Sequence, residues 1–168
     1  RVCVPRGAAR FCTRTVQIGD VRLPPVGGAP ALIPKPAALR GLAFTDSQSS
    51  LTTVQWLMKK QMLRQDAMLL GSHPAALRQL VFRFAELVER EVEVVSISRD
   101  TTESDLKQRR ELRGSSVEYV NQPVVEAALR GRLLVLEGLE KAERNLLPII
   151  NNLLENREMA LEDGGFLM

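Results

Sequence analysis

Aromatic side chains make up only 4% of this sequence, with one Trp and one Tyr. Proteins that hold single-stranded nucleic acid use aromatic platforms for base stacking, and this chain has little to offer there. The charge agrees. The net charge is +3, and the basic excess sits in Arg1, Arg6, Arg10 and Arg14, all before the first acid, Asp20. The remainder is close to neutral, so a whole-domain basic face is missing and no nucleic-acid partner is expected. Histidine is limited to His73 and cysteine to Cys3 and Cys12. That excludes a His-based metal cluster, a C-x-x-C motif, a disulfide framework and any Ser/His/Asp or Cys/His arrangement, and it suits free thiols in a reducing compartment. Long hydrophobic runs are also absent: none approaches the roughly 18 residues that a membrane span requires. Carboxylates are plentiful, but no pair stands out for acid–base work, so no catalytic residue is assigned.

What remains is a 168-residue chain with 45% hydrophobic and 26% charged residues, enough for one domain with a real core. Residues 1–19 form an Arg-rich, acid-free leader with Thr13 and Thr15. The composition suits a mitochondrial transit segment and equally a basic tail with no targeting value. The sequence does not start with Met and stops within the apolar Phe166–Met168, so it reads as a fragment or processed form. Val16–Leu23 is expected to form a short hairpin turning at Gly19–Asp20. Residues 20–46 read as a Pro-rich linker, with Pro24, Pro25, Pro30, Pro34 and Pro36 excluding regular structure.

Residues 47–168 carry the domain. The pattern predicts a helix over Ser47–Arg64, a short buried strand at Ala67–Leu70, and a helix that Pro74 opens, with Leu77, Leu80, Val81, Phe84, Leu87 and Val88 on one face. It then predicts a strand at Val92–Ser98 and a loop with a helical turn at Asp100–Arg110, capped by Thr101 or Thr102 with Ser104 and Asp105. A short strand at Val117–Val120 follows, then a helix from Pro123 to about Leu129 closed by Gly131. The rest is a strand at Arg132–Glu137, a helix at Asn145–Glu155 and a hairpin at Met159–Met168 turning at Asp163–Gly164. Alternating strands and helices indicate an α/β fold with a parallel sheet flanked by helices, where ligands sit at the carboxyl ends of strands.

Two segments at such ends carry nucleotide chemistry in outline. Ala67–Leu80, AMLLGSHPAALRQL, has the strand–loop–helix layout of a phosphate-binding P-loop. A working loop reads G-x-x-x-x-G-K-[ST], with Lys on the β/γ-phosphates and Ser/Thr on Mg²⁺. Counting from Gly71, those last three positions hold Ala76, Leu77 and Arg78. Gly71, Ser72, His73, Leu77 and Arg78 are therefore the candidate phosphate-side residues. Arg78 offers a planar, bulky cation one place late, and a helix N-terminus is anion-friendly in itself. His73 reads first as a loop-tip surface residue. In the second segment, Leu133–Gly138 (LLVLEG), four apolar residues precede Glu137 and Gly138 where a Walker B strand has Asp-Glu. Glu137 is the candidate Mg²⁺ contact, with one methylene more than Asp; Gly138 cannot activate water. Read alone, the segment is first of all an ordinary buried strand with a charged end. In Asp100–Arg110 and just beyond, Arg109, Arg110 and Arg113 form a basic patch that reads first as a solvated face.

Three segments in order, Ala67–Val88, SRDTTESDLKQRRELRGS (Ser98–Ser115) and LLVLEGLEKAERNLLPIINNLLENREMALEDGG (Leu133–Gly165), resemble the MoxR/dynein-related branch of AAA+ ATPases. The strings DTTESDLKQRRE, LVLEGLEKAERN, NNLLENREM and LEDG are most similar to the first AAA+ module of a large mitochondrial, multi-module member, over about Ile18 to Met168. The resemblance implies a partial P-loop NTPase (AAA+) fold, a mitochondrial (matrix) location, a ring-like assembly with other AAA+ modules in cis or trans, and ATP with Mg²⁺ as cofactor of the whole protein. It also implies that the chain ends before the sensor strand, the arginine finger and the helical lid. The loop departs from the family's Gly-Pro-Pro-Gly start, with Ser72, His73, Pro74 and Ala75 there instead. The expected function is a degenerate AAA+ module with weak or no ATP binding. The alternatives are an active ATP-hydrolysing domain working through Arg78 and Glu137, and a protein-interaction scaffold using the Arg109–Arg113 surface.

Overall fold

The computed structural model describes residues 2–6, 9–13, 15–35 and 46–167, the first two stretches by backbone alone. The side chains of the first 14 residues, Cys3 and Cys12 among them, lie outside the described residues, as do Pro36 and Met168 altogether. The chain divides into two compact units, Arg1–Glu91 and Val92–Met168, each of which is described by itself.

In the first unit β1 (Val2–Arg6) pairs antiparallel with β2 (Ala9–Thr13), and β3 (Val16–Ile18) pairs antiparallel with β4 (Val21–Leu23) around the expected Gly19–Asp20 turn. Gly19 has φ +58, which suits a residue without Cβ. Helix α1 (Gln48–Met62) starts at Ser47, whose Oγ accepts the Ser50 N–H at 3.2 Å. Helix α2 (Pro74–Leu87) carries Pro74 in its first turn, where a missing N–H costs nothing. The apolar faces of α1, α2 and β4 meet in a core of Val21, Leu23, Val54, Leu57, Met58, Phe84, Ala85 and Val88. Each large side chain buried there contributes about 1.5–3 kcal/mol.

Two expectations in this unit need correction. Ala67–Leu70 belongs to no sheet, and Met68 and Leu70 are 69% and 82% exposed. A four-residue apolar run is consistent with a buried strand, but a strand exists only where a partner supplies hydrogen bonds, and local pattern cannot show one. The segment read as an extended linker is, in its described part, tied down. The N–H groups of Val26 and Gly28 donate to the carbonyls of Val88 (2.8 Å) and Glu89 (2.9 Å). The Ala29 N–H donates to Glu91 Oε1 at 2.8 Å. Prolines forbid a regular ladder, but the amides between them remain donors, and the end of a helix leaves carbonyls in need of them.

The second unit is built on a parallel pair, β5 (Val92–Ser96) with β8 (Leu133–Glu137), in the register Val92↔Leu133 to Ser96↔Glu137. The crossover between them holds α3 (Glu103–Leu106), the antiparallel hairpin β6 (Gln108–Arg113)–β7 (Ser116–Asn121), and α4 (Pro123–Arg130), which packs on both parallel strands. Pro123 opens α4, and Gly131, at φ +65, closes it. A 3-10 turn (Leu139–Lys141) and α5 (Leu147–Asn156) follow β8, and β9 (Met159–Ala160) pairs antiparallel with β10 (Phe166–Leu167). Ile97, Leu106, Val124, Val125, Leu146, Ile150, Leu153 and Met159 form the core. The expectation of a loop running to Arg110 is corrected by β6, which begins at Gln108 and pairs with β7 over six residue pairs. Among the described residues no helix is long and apolar enough to cross a membrane.

Candidate functional site

The sequence places its candidate residues on two elements, one in each unit. Gly71, Ser72 and His73 precede α2, and Leu77 and Arg78 lie in its first turns; Glu137 ends β8. At the start of α2, His73 occupies the capping position without a side-chain cap, and its carbonyl accepts from Ala76 N (3.0 Å) and Leu77 N (3.2 Å). Gly71, Ser72, His73 and Arg78 are exposed. Leu77 is half-buried, and a Cβ built on Gly71 would meet its two methyl carbons at 3.3 and 3.4 Å. The residue in the Lys position thus folds back over the backbone at Gly71. Its isobutyl group brings no charge to a phosphate and lies against one side of the glycine whose bareness lets an anion approach a loop of this kind.

At the other element, Ser96 and Glu137 face each other at the carboxyl ends of β5 and β8, and Glu137 is half-buried. The Glu137 carbonyl accepts the Ile97 N–H at 2.7 Å, which carries the pairing one residue past the strand. Gly138 turns the chain with φ +75, and a Cβ there would lie 2.8 Å from the Ile97 carbonyl oxygen. Where a Walker B strand has its second acid, the backbone has therefore adopted a conformation and a close approach that suit glycine alone. Glu137 is left as the one acid at the end of this strand. Among the described residues no group of three or more His, Cys, Asp or Glu could hold a metal ion. These residues do not make the usual set for ATP with Mg²⁺: no Lys stands in the loop position, no Ser or Thr follows it, and no second acid follows Glu137.

The basic patch has a different character from a bare cationic surface. Arg109 lies 3.9 Å from Asp105, Arg110 lies 3.7 Å from Glu162, and Arg113 lies 3.3 Å from Glu118. The Arg110 guanidinium also lies 5.4 Å from the Tyr119 ring centre. The turn before the patch is fixed by Asp105, whose Oδ2 accepts from the Thr102 N–H (2.9 Å) and hydroxyl (2.7 Å). These bonds hold the Asp105 carboxyl below its ordinary pKa, and Arg109 adds to the effect. Sequence reasoning missed the Ile97–Gly138 approach, because it joins residues just past the ends of two strands far apart in the chain. The glycine directly after an apolar strand and an acid was its only trace.

Residues 66–168 match the family described as AAA domain (dynein-related subfamily). Over 155 residues the chain is 50% identical to mouse von Willebrand factor A domain-containing protein 8, an alignment that covers 92% of this chain and 8% of that relative. The chain thus spans a small part of the relative's length. With more than half its residues in the family match, the chain belongs to the dynein-related subfamily of AAA domains.

Proposed function

We propose that this chain is a degenerate AAA+ module with a structural or regulatory role in a larger assembly, binding ATP weakly or not at all through the loop before α2. The observation that carries this reading is Leu77, which stands in the Lys position and packs against Gly71. A phosphate there would lose its main cation and would have to displace an apolar side chain. Gly138 supports the same reading, because its φ of +75 and its approach to Ile97 disfavour the acid that would activate water. In this reading the module sits beside other AAA+ modules, in cis or trans, as part of a ring, and keeps geometry or transmits motion while neighbours hydrolyse ATP. The acid-free, Arg-rich residues 1–19 support a mitochondrial (matrix) location. Imaging of the full-length protein with and without those residues tests that part.

The alternative, an ATP-hydrolysing domain that works through Arg78 and Glu137, is separated by titrating a fluorescent ATP analogue into the chain with and without Mg²⁺. The proposed reading expects no binding that depends on these two residues. Submillimolar, Mg²⁺-dependent binding abolished by Arg78→Ala and by Glu137→Gln would overturn it. The scaffold alternative has less support, since Arg109, Arg110 and Arg113 already have acidic neighbours.

A further inference from the structure

The second unit treats its cations unevenly. Of the ten Lys and Arg in residues 92–168, six have an acidic neighbour within 4 Å: Lys107 with Glu103, Arg109 with Asp105, Arg110 with Glu162, Arg113 with Glu118, Arg130 with Glu126 and Arg132 with Glu93. Arg157 is engaged as well. The three others, Arg99, Lys141 and Arg144, have no ion pair or side-chain hydrogen bond among the described residues, and all three line one open cleft of about 510 Å³. Glu140 and Glu143 line the same cleft and are likewise unpaired among the described residues.

The backbone leading into the cleft is tied. One wall is the exit of β5 at Arg99; the other is residues 140–145, after β8. The two exits are tied by the Ile97–Glu137 hydrogen bond (2.7 Å) and by the approach that only Gly138 permits. The Lys141 N–H donates to the Gly138 carbonyl at 2.8 Å, which sets the start of the second wall. The segments that carry these cations thus leave strand ends already tied to each other, which lowers the ordering cost of binding.

We propose that this cleft binds a polyphosphate chain carrying a divalent cation, at a place separate from the loop before α2. Two guanidiniums and an ammonium match phosphate oxygens, Arg by its planar fork and Lys as a point charge. Glu140 and Glu143 oppose a bare polyanion, but they suit one that brings Mg²⁺, which binds through one or two carboxylates together with phosphate oxygens. The carboxylates do not suffice for a metal alone, in keeping with the absence of a three-ligand cluster among the described residues. The inference does not rest on the reading of the Gly71–Arg78 loop, and its test separates the two.

The test is calorimetric titration of the whole chain with sodium tripolyphosphate, with and without Mg²⁺, and separately with MgATP, adenosine and poly-glutamate. Tripolyphosphate is expected to bind in a Mg²⁺-dependent, saturable way, with adenosine and poly-glutamate silent. A comparable response to MgATP identifies a nucleotide as an accepted source of the chain, and tripolyphosphate alone identifies an inorganic one. Arg99→Ala, Lys141→Ala and Arg144→Ala are each expected to weaken binding about fivefold, the upper range for one exposed charge pair. Arg144→Lys should retain part of it, and Glu143→Gln should reduce the Mg²⁺ dependence. All these positions are exposed, so the variants should melt as the parent does. No saturable binding, binding insensitive to the three cations, or binding of poly-glutamate in place of tripolyphosphate would overturn the proposal. A response lost in Arg78→Ala but kept in Arg144→Ala would overturn both this proposal and the reading of the loop.

Discussion

The Gln108 side chain and Asp163 hold each other from both ends. The Gln108 amide Nε2 donates to Asp163 Oδ2 at 3.0 Å, and Gln108 Oε1 accepts the Asp163 backbone N–H at 3.1 Å. Gln108 also donates to Asn121 Oδ1 at 2.9 Å and is 3% exposed. One buried amide thus joins the base of the β6–β7 hairpin to the turn between β9 and β10. Gln108→Leu keeps most of the volume and removes all three bonds. We expect it to destabilise the protein by about 2 kcal/mol in urea unfolding, because buried polar partners are left unmet. A change near zero would mean that water replaces the amide.

The same contact has a pH signature. The Gln108 hydrogen bond is the first cause holding the Asp163 carboxyl below its ordinary pKa, followed by the bond from the Gly165 N–H at 2.8 Å. A carboxyl whose folded pKa is depressed stabilises the fold above the unfolded value and loses that contribution as pH falls through the folded one. Asp105 and Glu126 are shifted in the same direction, Asp105 by Thr102 and Glu126 first by Arg130. The urea midpoint should therefore be level near neutrality and fall below about pH 4, the ordinary carboxylate range. In Gln108→Leu the acid-side fall should be shallower. An equally steep fall would remove Asp163 from the account.

Two left-handed glycines offer a paired test of the turn after β8. Gly138 and Gly131 have φ of +75 and +65, but a Cβ at Gly138 meets the Ile97 carbonyl oxygen at 2.8 Å, while one at Gly131 meets nothing within 4 Å. Gly131→Ala should cost about 1 kcal/mol, the conformational penalty alone. Gly138→Ala should cost about 2–3 kcal/mol, since a backbone clash adds to that penalty. Equal costs would show that the turn relaxes and that the position tolerates a side chain.

The Pro-rich stretch after β4 should behave as part of the first unit. Gly28 lies so close to α2's end that a Cβ would fall 2.7 Å from Glu91 Cγ and 3.1 Å from the Glu89 carbonyl oxygen. Gly28→Val should release the segment, giving faster proteolysis within residues 24–35 and a loss of about 1–2 kcal/mol. Unchanged cleavage would mean that the prolines alone set its course.

Much of this was legible because it is written locally. Pro74, Pro123 and Pro148 mark the first turns of α2, α4 and α5, and Gly131 marks the end of α4. The apolar spacing from Leu77 to Val88 identifies α2, and short apolar runs identify β5 and β8. Strand β6 escaped because Gln108–Arg113 (QRRELR) is almost wholly polar; its state is set by β7 and by the buried Gln108. Ala67–Leu70 erred the other way: a short apolar run reads as a buried strand, but Ala, Met and Leu are not strand formers and no partner strand is supplied among the described residues. At the candidate site the residue types were readable, including the missing Lys and second acid. The packing of Leu77 over Gly71 and the contact of Gly138 with Ile97 were not, because both depend on three-dimensional proximity.

The central claim is that the loop before α2 lacks the means to grip a triphosphate, and the most direct measurement rebuilds them. Ala76→Gly, Leu77→Lys and Arg78→Thr together restore G-x-x-x-x-G-K-T from Gly71. Titration of a fluorescent ATP analogue with Mg²⁺, with Arg144→Ala in both parent and triple variant to silence the cleft after β8, is predicted to show new saturable binding in the triple variant alone, without hydrolysis because Gly138 supplies no base. Tight binding in the parent that the Arg78→Ala change removes, with no gain in the triple variant, would contradict the account.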